Sequence, residues 1–222
     1  MSHGKQFTLY SHKGGPNGWK IVFALEYLGL SYETVYLDFH KGEHKGPEYT
    51  KYNPNGRIPT IIDHKNKDFV LWESGAILVY LVDKYDADHR LSAATEKDKY
   101  LQLQWLFFQA SGQGPYFGQA AWFSNFHPEK VPSAVERYQN EIKRVLGVLD
   151  SVLREREWLV GDKMTVADIA FITWNSYARN GLLKNDESFN FDEQFPAVAK
   201  WHQAMTTTPV IKNVLDHMAS LR

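Results

Sequence analysis

The spacing of apolar positions changes character partway along the chain. Up to about residue 85, short β-branched or aromatic runs alternate with stretches at helical spacing; beyond residue 96 only helical spacing remains. Phe7-Thr8-Leu9-Tyr10 reads as a first strand, followed from Ser11 to Gly18 by a loop of turn formers. From Trp19 to Leu28, the residues Ile21, Val22, Leu25 and Leu28 mark the buried side of a helix that Gly29 stops. Tyr32 to Tyr36 alternates as a second strand, and His40 to Tyr49 is a polar loop with room for a short irregular helix. Thr60 to Asp63 and Phe69 to Trp72 form a third and a fourth strand across a charged turn. Ile77, Leu78, Leu81 and Val82 then make Ser74 to Tyr85 a helix. The order βαβ, then ββα, predicts a small α/β sandwich.

Asp86 to Thr95 is a polar linker, which divides the chain into a domain over 1–86, a connection over 87–96 and an all-helical domain over 97–222. Lys97 to Ser111 is helical and aromatic, and Gly112-Gln113-Gly114-Pro115 is expected to bend it. Ser133 to Arg156 places Val135, Tyr138, Ile142, Val145, Leu146, Leu149 and Leu153 along one stripe. Thr165-Val166-Ala167-Asp168 has the form of a capping box that starts a core helix from Ile169 to Ala178. A loop from Asn185 to Gln194 and helices over Pro196–Met205 and Pro209–Leu221 complete the bundle.

One stretch carries chemistry. Asn53-Pro54-Asn55-Gly56-Arg57-Ile58-Pro59 runs from turn residues straight into a strand, where proline has no N–H for the ladder. A cis Ile58-Pro59 bond would turn the chain and leave the Ile58 backbone groups facing outward, ready to pair with an extended peptide. A dozen or so residues on, Glu73-Ser74 opens a helix whose free N–H groups suit a carboxylate.

Composition narrows the function. The 222 residues carry a net charge of −1 and no basic cluster, so nucleic acid and anionic membranes are not indicated. No apolar run reaches membrane-spanning length and no signal pattern opens the chain. Cysteine is absent, which excludes disulfides, thiolate metal sites and a protein thiol nucleophile, and fits a cytoplasmic location. His40 and His44 share an i, i+4 spacing, but Gly42 between them points to a solvated loop, and no metal is expected.

The sequence resembles a cytosolic glutathione transferase. The match is carried by Asn53 to Pro59, by Trp72-Glu73-Ser74-Gly75-Ala76-Ile77 and by Trp158-Leu159-Val160-Gly161-Asp162-Lys163-Met164-Thr165-Val166-Ala167-Asp168, which stand in the expected order and span nearly the whole chain. Ser11-His12-Lys13, Pro16-Asn17-Gly18, Gly42-Glu43-His44-Lys45, Trp105-Leu106-Phe107-Phe108-Gln109 and Ala134-Val135-Glu136-Arg137-Tyr138 are similar to the branch holding the nu-class enzymes and the fungal nitrogen-regulator prion protein. The Asn/Gln-rich tail of that regulator and its insertion before Trp158 have no counterpart here, so prion behaviour is not carried over. The resemblance implies a thioredoxin-like N-terminal domain with cis-Pro, a C-terminal all-helical bundle, and glutathione as co-substrate.

It also implies roles for individual residues. Ile58 exchanges backbone bonds with the cysteinyl unit, Ser74 holds the γ-glutamyl carboxylate, and Glu73 receives its ammonium. His44 and Lys45 reach the glycyl carboxylate, and Arg137 is left open between the ligand and a surface ion pair. The sulfur falls to Asn17, whose amide can donate to a thiolate but cannot take a proton. A Thr that bacterial relatives place two residues earlier is Gly15 here, with Ser11 as a substitute contact. Tyr10 is expected to be packed. Trp105 to Phe108 is expected in packing, and among Tyr116, Phe117, Trp122, Phe123 and Phe126 some, with Trp122 and Phe123 foremost, are expected to line an apolar second-substrate pocket. The implied activity is a homodimeric transferase that turns the glutathione thiolate on disulfides, peroxides and electrophiles. The alternative is a glutathione-dependent carrier or regulatory partner with little turnover.

Overall fold

The computed structural model describes residues 4–183 and 189–221. Packing separates two compact units, one containing the chain up to Ser92 together with Thr208 onward, the other Ala93–Thr207. In the first, β1 (Phe7–Ser11), β2 (Tyr32–Tyr36), β3 (Thr60–Asp63) and β4 (Phe69–Trp72) form a sheet of order β2-β1-β3-β4. β1 pairs β2 in parallel, and the β1–β3 and β3–β4 pairs are antiparallel. β3 is buried along its whole length, as a strand covered on both faces requires.

Helix α1 (Pro16–Leu28) joins the parallel pair, α2 (Pro47–Thr50) follows a single 3₁₀ turn at Glu43–Lys45, and α3 (Ser74–Tyr85) closes the sandwich. α1 begins three residues before the helix expected at Trp19. Pro16 occupies its first position, where a missing N–H costs nothing, and this brings Asn17 and Gly18 into the first turn. Gly29 ends it at φ 70. Phe7, Leu9, Ile21, Phe23, Leu25, Ile61, Ile77, Leu78 and Leu81 make the core between sheet and helices.

The second unit holds α4 (Glu96–Phe108), α5 (Gly114–Asn125), α6 (Pro132–Leu153), α7 (Val166–Ile169), α8 (Ile172–Tyr177), α9 (Phe191–Gln194) and α10 (Pro196–Thr206). The bend at Gly112 to Pro115 is a π turn over Gln109–Gln113. The single helix expected from Ile169 to Ala178 is instead α7 and α8, with a second π turn over Ala178–Leu182. Of the loop expected from Asn185, residues 185–188 lie outside the described residues, and Phe191–Gln194 is helical because Asn190 caps it. α11 (Pro209–Ser220) packs on α1 within the first unit, where the His217 ring meets Trp19 at 6.0 Å. The helical pattern alone had assigned it to the bundle.

Thr165 and Asp168 are structural. The Asp168 carboxylate accepts from Thr165 N at 2.7 Å, Leu159 N at 2.9 Å and Trp201 Nε1 at 3.0 Å, tying α7 to the Trp158–Asp162 turn and to α10. Among the aromatics placed in packing from the sequence, Trp105 is buried but Phe107 is 70% exposed, so the run does not pack as a block. Helical geometry turns neighbouring residues to different faces.

Candidate functional site

The sheet register gathers several connections at one end. Tyr10 lies opposite Thr60, Ser11 beside Tyr36, and Thr60 opposite Trp72. The loop leaving β1, the chain entering β3, the turn leaving β4 and the loop leaving β2 therefore emerge together.

The Ile58-Pro59 bond is cis. Buried side chains hold the turn before it. Asn53 Nδ2 donates to Arg57 O at 2.7 Å and to Thr60 Oγ1 at 3.1 Å, and its Oδ1 accepts from Asn55 N at 3.0 Å. Tyr49 OH bonds Thr60 Oγ1 at 2.8 Å and donates to Arg57 O. The backbone N–H and C=O of Ile58 make no hydrogen bond among the described residues. Ile58 Cδ1 lies 2.8 Å from where a Cβ on Gly15 would sit, joining the two loops. On the other side Gly56, at φ 60, leaves only 2.9 Å between such a Cβ and both His44 O and Lys45 Cδ, while Lys45 Nζ donates to Asn55 O at 3.2 Å. His44 and Lys45 thus flank the cis-Pro turn.

The loop before α1 is pinned from within. Gly14 N donates to His12 Nδ1 at 3.1 Å, Gly15 N to His12 O at 3.0 Å, and Trp19 Nε1 to Lys13 O at 2.9 Å. Asn17 follows in the first helical turn, half-buried, where the N–H groups of a helix start favour negative charge. Ser11 is buried beneath this turn, and a Cβ on Gly18 would stand 1.9 Å from its hydroxyl. Tyr10 is packed as expected, its ring 5.4 Å from those of Tyr49 and Tyr52; burial and the neighbouring Tyr52 push its hydroxyl up to about 12.

At the start of α3, Glu73 takes φ 72 and ψ 116, a region non-glycine residues avoid, and Ser74 is the first helical residue. The Glu73 side chain is exposed and makes no capping hydrogen bond. Behind these residues lies a group the sequence did not single out: Lys20, in α1, is 1% exposed. Burial lowers its pKa to about 7 against the opposing pull of the Glu73 carboxylate. A lysine set directly between Trp19 and the apolar run Ile21 to Leu25 was the available signal. The supporting side chains of Tyr49 and Asn53 were also missed, since a turn signature does not say where its side chains point.

The His12, Phe39 and His44 rings stack with centroid spacings of 4.3 and 4.1 Å. Burial holds both imidazoles below their ordinary range, helped by His40 at His12 and by Lys45 at His44. His44 Nδ1 is buried with no hydrogen-bond partner among the described residues. No cluster of His, Asp and Glu suited to a metal occurs among the described residues.

In the helical unit, Arg137 pairs with Glu141 at 2.6 Å on the exposed side of α6. Phe123 stacks on Tyr138 at 5.7 Å and on His127 at 5.0 Å, and Trp122 is 48% exposed beside Phe126. Phe117 is fully buried and belongs to the core.

Comparison with known proteins agrees with this geometry. The family model described as the glutathione S-transferase N-terminal domain matches residues 5–83, and the C-terminal domain model matches 115–209. Glutathione S-transferase 2 of Schizosaccharomyces pombe is 50% identical over 231 aligned positions, covering 100% of this chain and 99% of that protein. The glutathione transferase URE2P6 of Phanerochaete chrysosporium, solved with oxidised glutathione, superposes at a TM-score of 0.96 with 62% identity over 100% of both chains. Ure2p5 of the same fungus, cocrystallised with 1-(S-glutathionyl)-2,4-dinitrobenzene, superposes at 0.92 with 55% identity, covering 99% of this chain and 97% of that one. With both family domains matched in order along one chain, and full-length likeness to transferases of the Ure2 type, this protein belongs to the glutathione transferase family.

Proposed function

We propose that the protein binds glutathione along the open edge at Ile58 and uses its thiolate to reduce disulfides and hydroperoxides, with conjugation to electrophiles as a further activity. The observation that carries the proposal is the meeting, at one end of the sheet, of an unpaired backbone edge, a helix start at Ser74, and Asn17 in the first turn of α1. In this scheme Ile58 pairs with the cysteinyl unit, Ser74 and Glu73 hold the γ-glutamyl zwitterion, and His44 and Lys45 take the glycyl carboxylate.

Free glutathione has a thiol near pKa 8.5. The Asn17 amide donates to the sulfur, and the first-turn N–H groups of α1 add positive potential, so the thiolate is stabilised without a general base. Ser11, packed under Gly18, supports the turn that carries Asn17. The chain has no cysteine, so disulfide reduction runs through glutathione alone. One thiolate attacks the disulfide and releases a thiol; a second resolves the mixed disulfide, giving oxidised glutathione and a second thiol. Trp122 and Phe123 of the helical unit are proposed for the apolar second substrate, while the pairing of Arg137 with Glu141 favours the surface ion pair for that residue. The protein is proposed to work in the cytoplasm as a homodimer.

Steady-state turnover with glutathione against 2-hydroxyethyl disulfide, cumene hydroperoxide and chlorodinitrobenzene tests the proposal. Activity lost in Asn17→Ala with glutathione affinity retained supports an enzyme of this kind. Tight binding of glutathione conjugates with no turnover on any of the three substrates would identify a carrier instead.

A further inference from the structure

Two of the hydrogen bonds that pin the loop before α1 end on His12: Gly14 N donates to its Nδ1 at 3.1 Å and Gly15 N to its backbone O at 3.0 Å. The loop therefore curls round the imidazole, and a Cβ added at Gly14 would lie 3.6 Å from His12 Cε1. A backbone N–H can only donate, so Nδ1 carries no proton and the ring is the neutral Nε2–H tautomer. Two features hold the ring in that place and that state. Its face stacks on Phe39 at 4.3 Å, and Phe39 stacks on His44 at 4.1 Å, so the loop leaving β2 walls it in. Burial, with His40 and His44 of that loop, keeps its pKa below the ordinary imidazole range against the opposing pull of Asp38. On its far side the loop meets the cis-Pro turn, where Ile58 Cδ1 lies 2.8 Å from the place of a Cβ on Gly15. Pro16, whose ring fixes φ, follows directly and opens α1 with Asn17 behind it. The path of the chain through Gly14 and Gly15 thus sets where Asn17 enters the first helical turn.

We infer that His12 is a positioning residue for Asn17, its unprotonated Nδ1 holding Gly14 so that the chain enters α1 with the Asn17 amide set for the glutathione sulfur. This role rests on the glutathione chemistry proposed above, and it acts through Asn17 rather than on the ligand.

Steady-state kinetics on the full chain, with whichever of the three substrates the wild type turns over fastest, are combined with calorimetry of glutathione binding. His12→Phe keeps a ring to stack on Phe39 and removes the acceptor. Its kcat is expected to fall by about tenfold, a loss that a shift of less than about 1 Å can produce, with glutathione affinity within about twofold of wild type. His12→Asn restores an acceptor, because an Asn side-chain oxygen takes the N–H two residues on, and should keep kcat within about threefold of wild type. In an Asn17→Ala background, His12→Phe should change kcat by no more than about twofold, because the two residues act as a unit. An unaffected kcat in His12→Phe, an equal loss in its affinity, a His12→Asn protein as impaired as His12→Phe, or a full loss added to that of Asn17→Ala each overturns the positioning role. A wild type that turns over none of the substrates overturns the glutathione chemistry itself, whatever the variants do. Should His12→Phe not fold, the ring is read in the wild type by two-bond proton–nitrogen correlation at a pH well above the ordinary imidazole range, with His12 assigned by its absence in His12→Asn. A proton on Nε2 and a bare Nδ1 are expected, and a proton on Nδ1 overturns the inference.

Discussion

Gly18→Ala puts the packing beneath Asn17 to a quantitative test. The added Cβ would stand 1.9 Å from Ser11 Oγ and 3.0 Å from Ser11 Cβ. Rotating the serine hydroxyl away leaves the second contact still short, since carbon atoms pack at about 3.5–4.0 Å. Relief therefore requires β1 and the first turn of α1 to part by up to about 1 Å. Overpacking of this kind costs about 1–3 kcal/mol. For a chain of this size that corresponds to a fall in Tm of about 2–12 °C, read by differential scanning calorimetry. The chemical consequence is larger in proportion, because Asn17 rides on the displaced turn and a 1 Å misplacement can cost about 100-fold in rate. kcat/KM for glutathione with 2-hydroxyethyl disulfide should fall by more than about tenfold in Gly18→Ala. Adding Ser11→Gly removes both short contacts and should restore most of the lost activity, less about 0.5–1 kcal/mol of stability for a glycine in a strand. Gly18→Ala with an unchanged Tm and a rate within about twofold of wild type would refute the claim that this close approach sets the Asn17 position.

Asn17→Ala should lower kcat by about 10- to 100-fold through loss of one hydrogen bond to a thiolate, while glutathione affinity by calorimetry stays near wild type; an equal loss in affinity would point to a binding role instead. Asn53→Ala strips the bonds to Arg57 O and Thr60 Oγ1 and should cost about 1–3 kcal/mol by chemical denaturation, together with weaker glutathione binding because the Ile58 edge loses its support. His202 gives a pH signature: burial pulls its imidazole down to about 4, with the Arg179 charge adding to this and Asp192 opposing it. Below pH 6.5 the unfolded chain takes up a proton that the folded chain refuses, so this stability is complete above pH 6.5 and is lost as pH falls through 4, by up to about 3 kcal/mol. Comparing Tm of wild type and His202→Gln from pH 7 to pH 4 should show wild type losing more, and parallel curves would mean that His202 is not held neutral in the fold.

Much of the fold was legible where its signals are local. Pro59 before a β-branched strand, Gly29 after a periodic helix and Thr165 three residues ahead of Asp168 each act on their own backbone, and each is found as expected. The helix start at Pro16 was misplaced because proline and the Asn-Gly that follows read as a turn, although proline equally suits a first helical position. The π turns at Gln109–Gln113 and Ala178–Leu182 keep helical composition and alter only the bonding register, so no residue pattern announces them. The site divides in the same way. Ile58 and the helix start at Ser74 follow from backbone logic and Glu73 from the family resemblance, whereas the burial of Lys20, the inward turn of Asn53 and Tyr49, and the packing of Ser11 against Gly18 depend on tertiary neighbours. The placement of α11 on α1 is another case: amphipathic spacing says that a helix must be covered, and not by what.

The most direct test of the central claim is a crystal structure of the protein soaked with glutathione. The account predicts an extended tripeptide paired with the Ile58 backbone through N–H···O bonds of about 2.7–3.2 Å, its γ-glutamyl carboxylate at Ser74 and its sulfur within hydrogen-bonding reach of Asn17 Nδ2. A tripeptide bound elsewhere, or a sulfur directed away from Asn17 with Ile58 left unpaired, would contradict it.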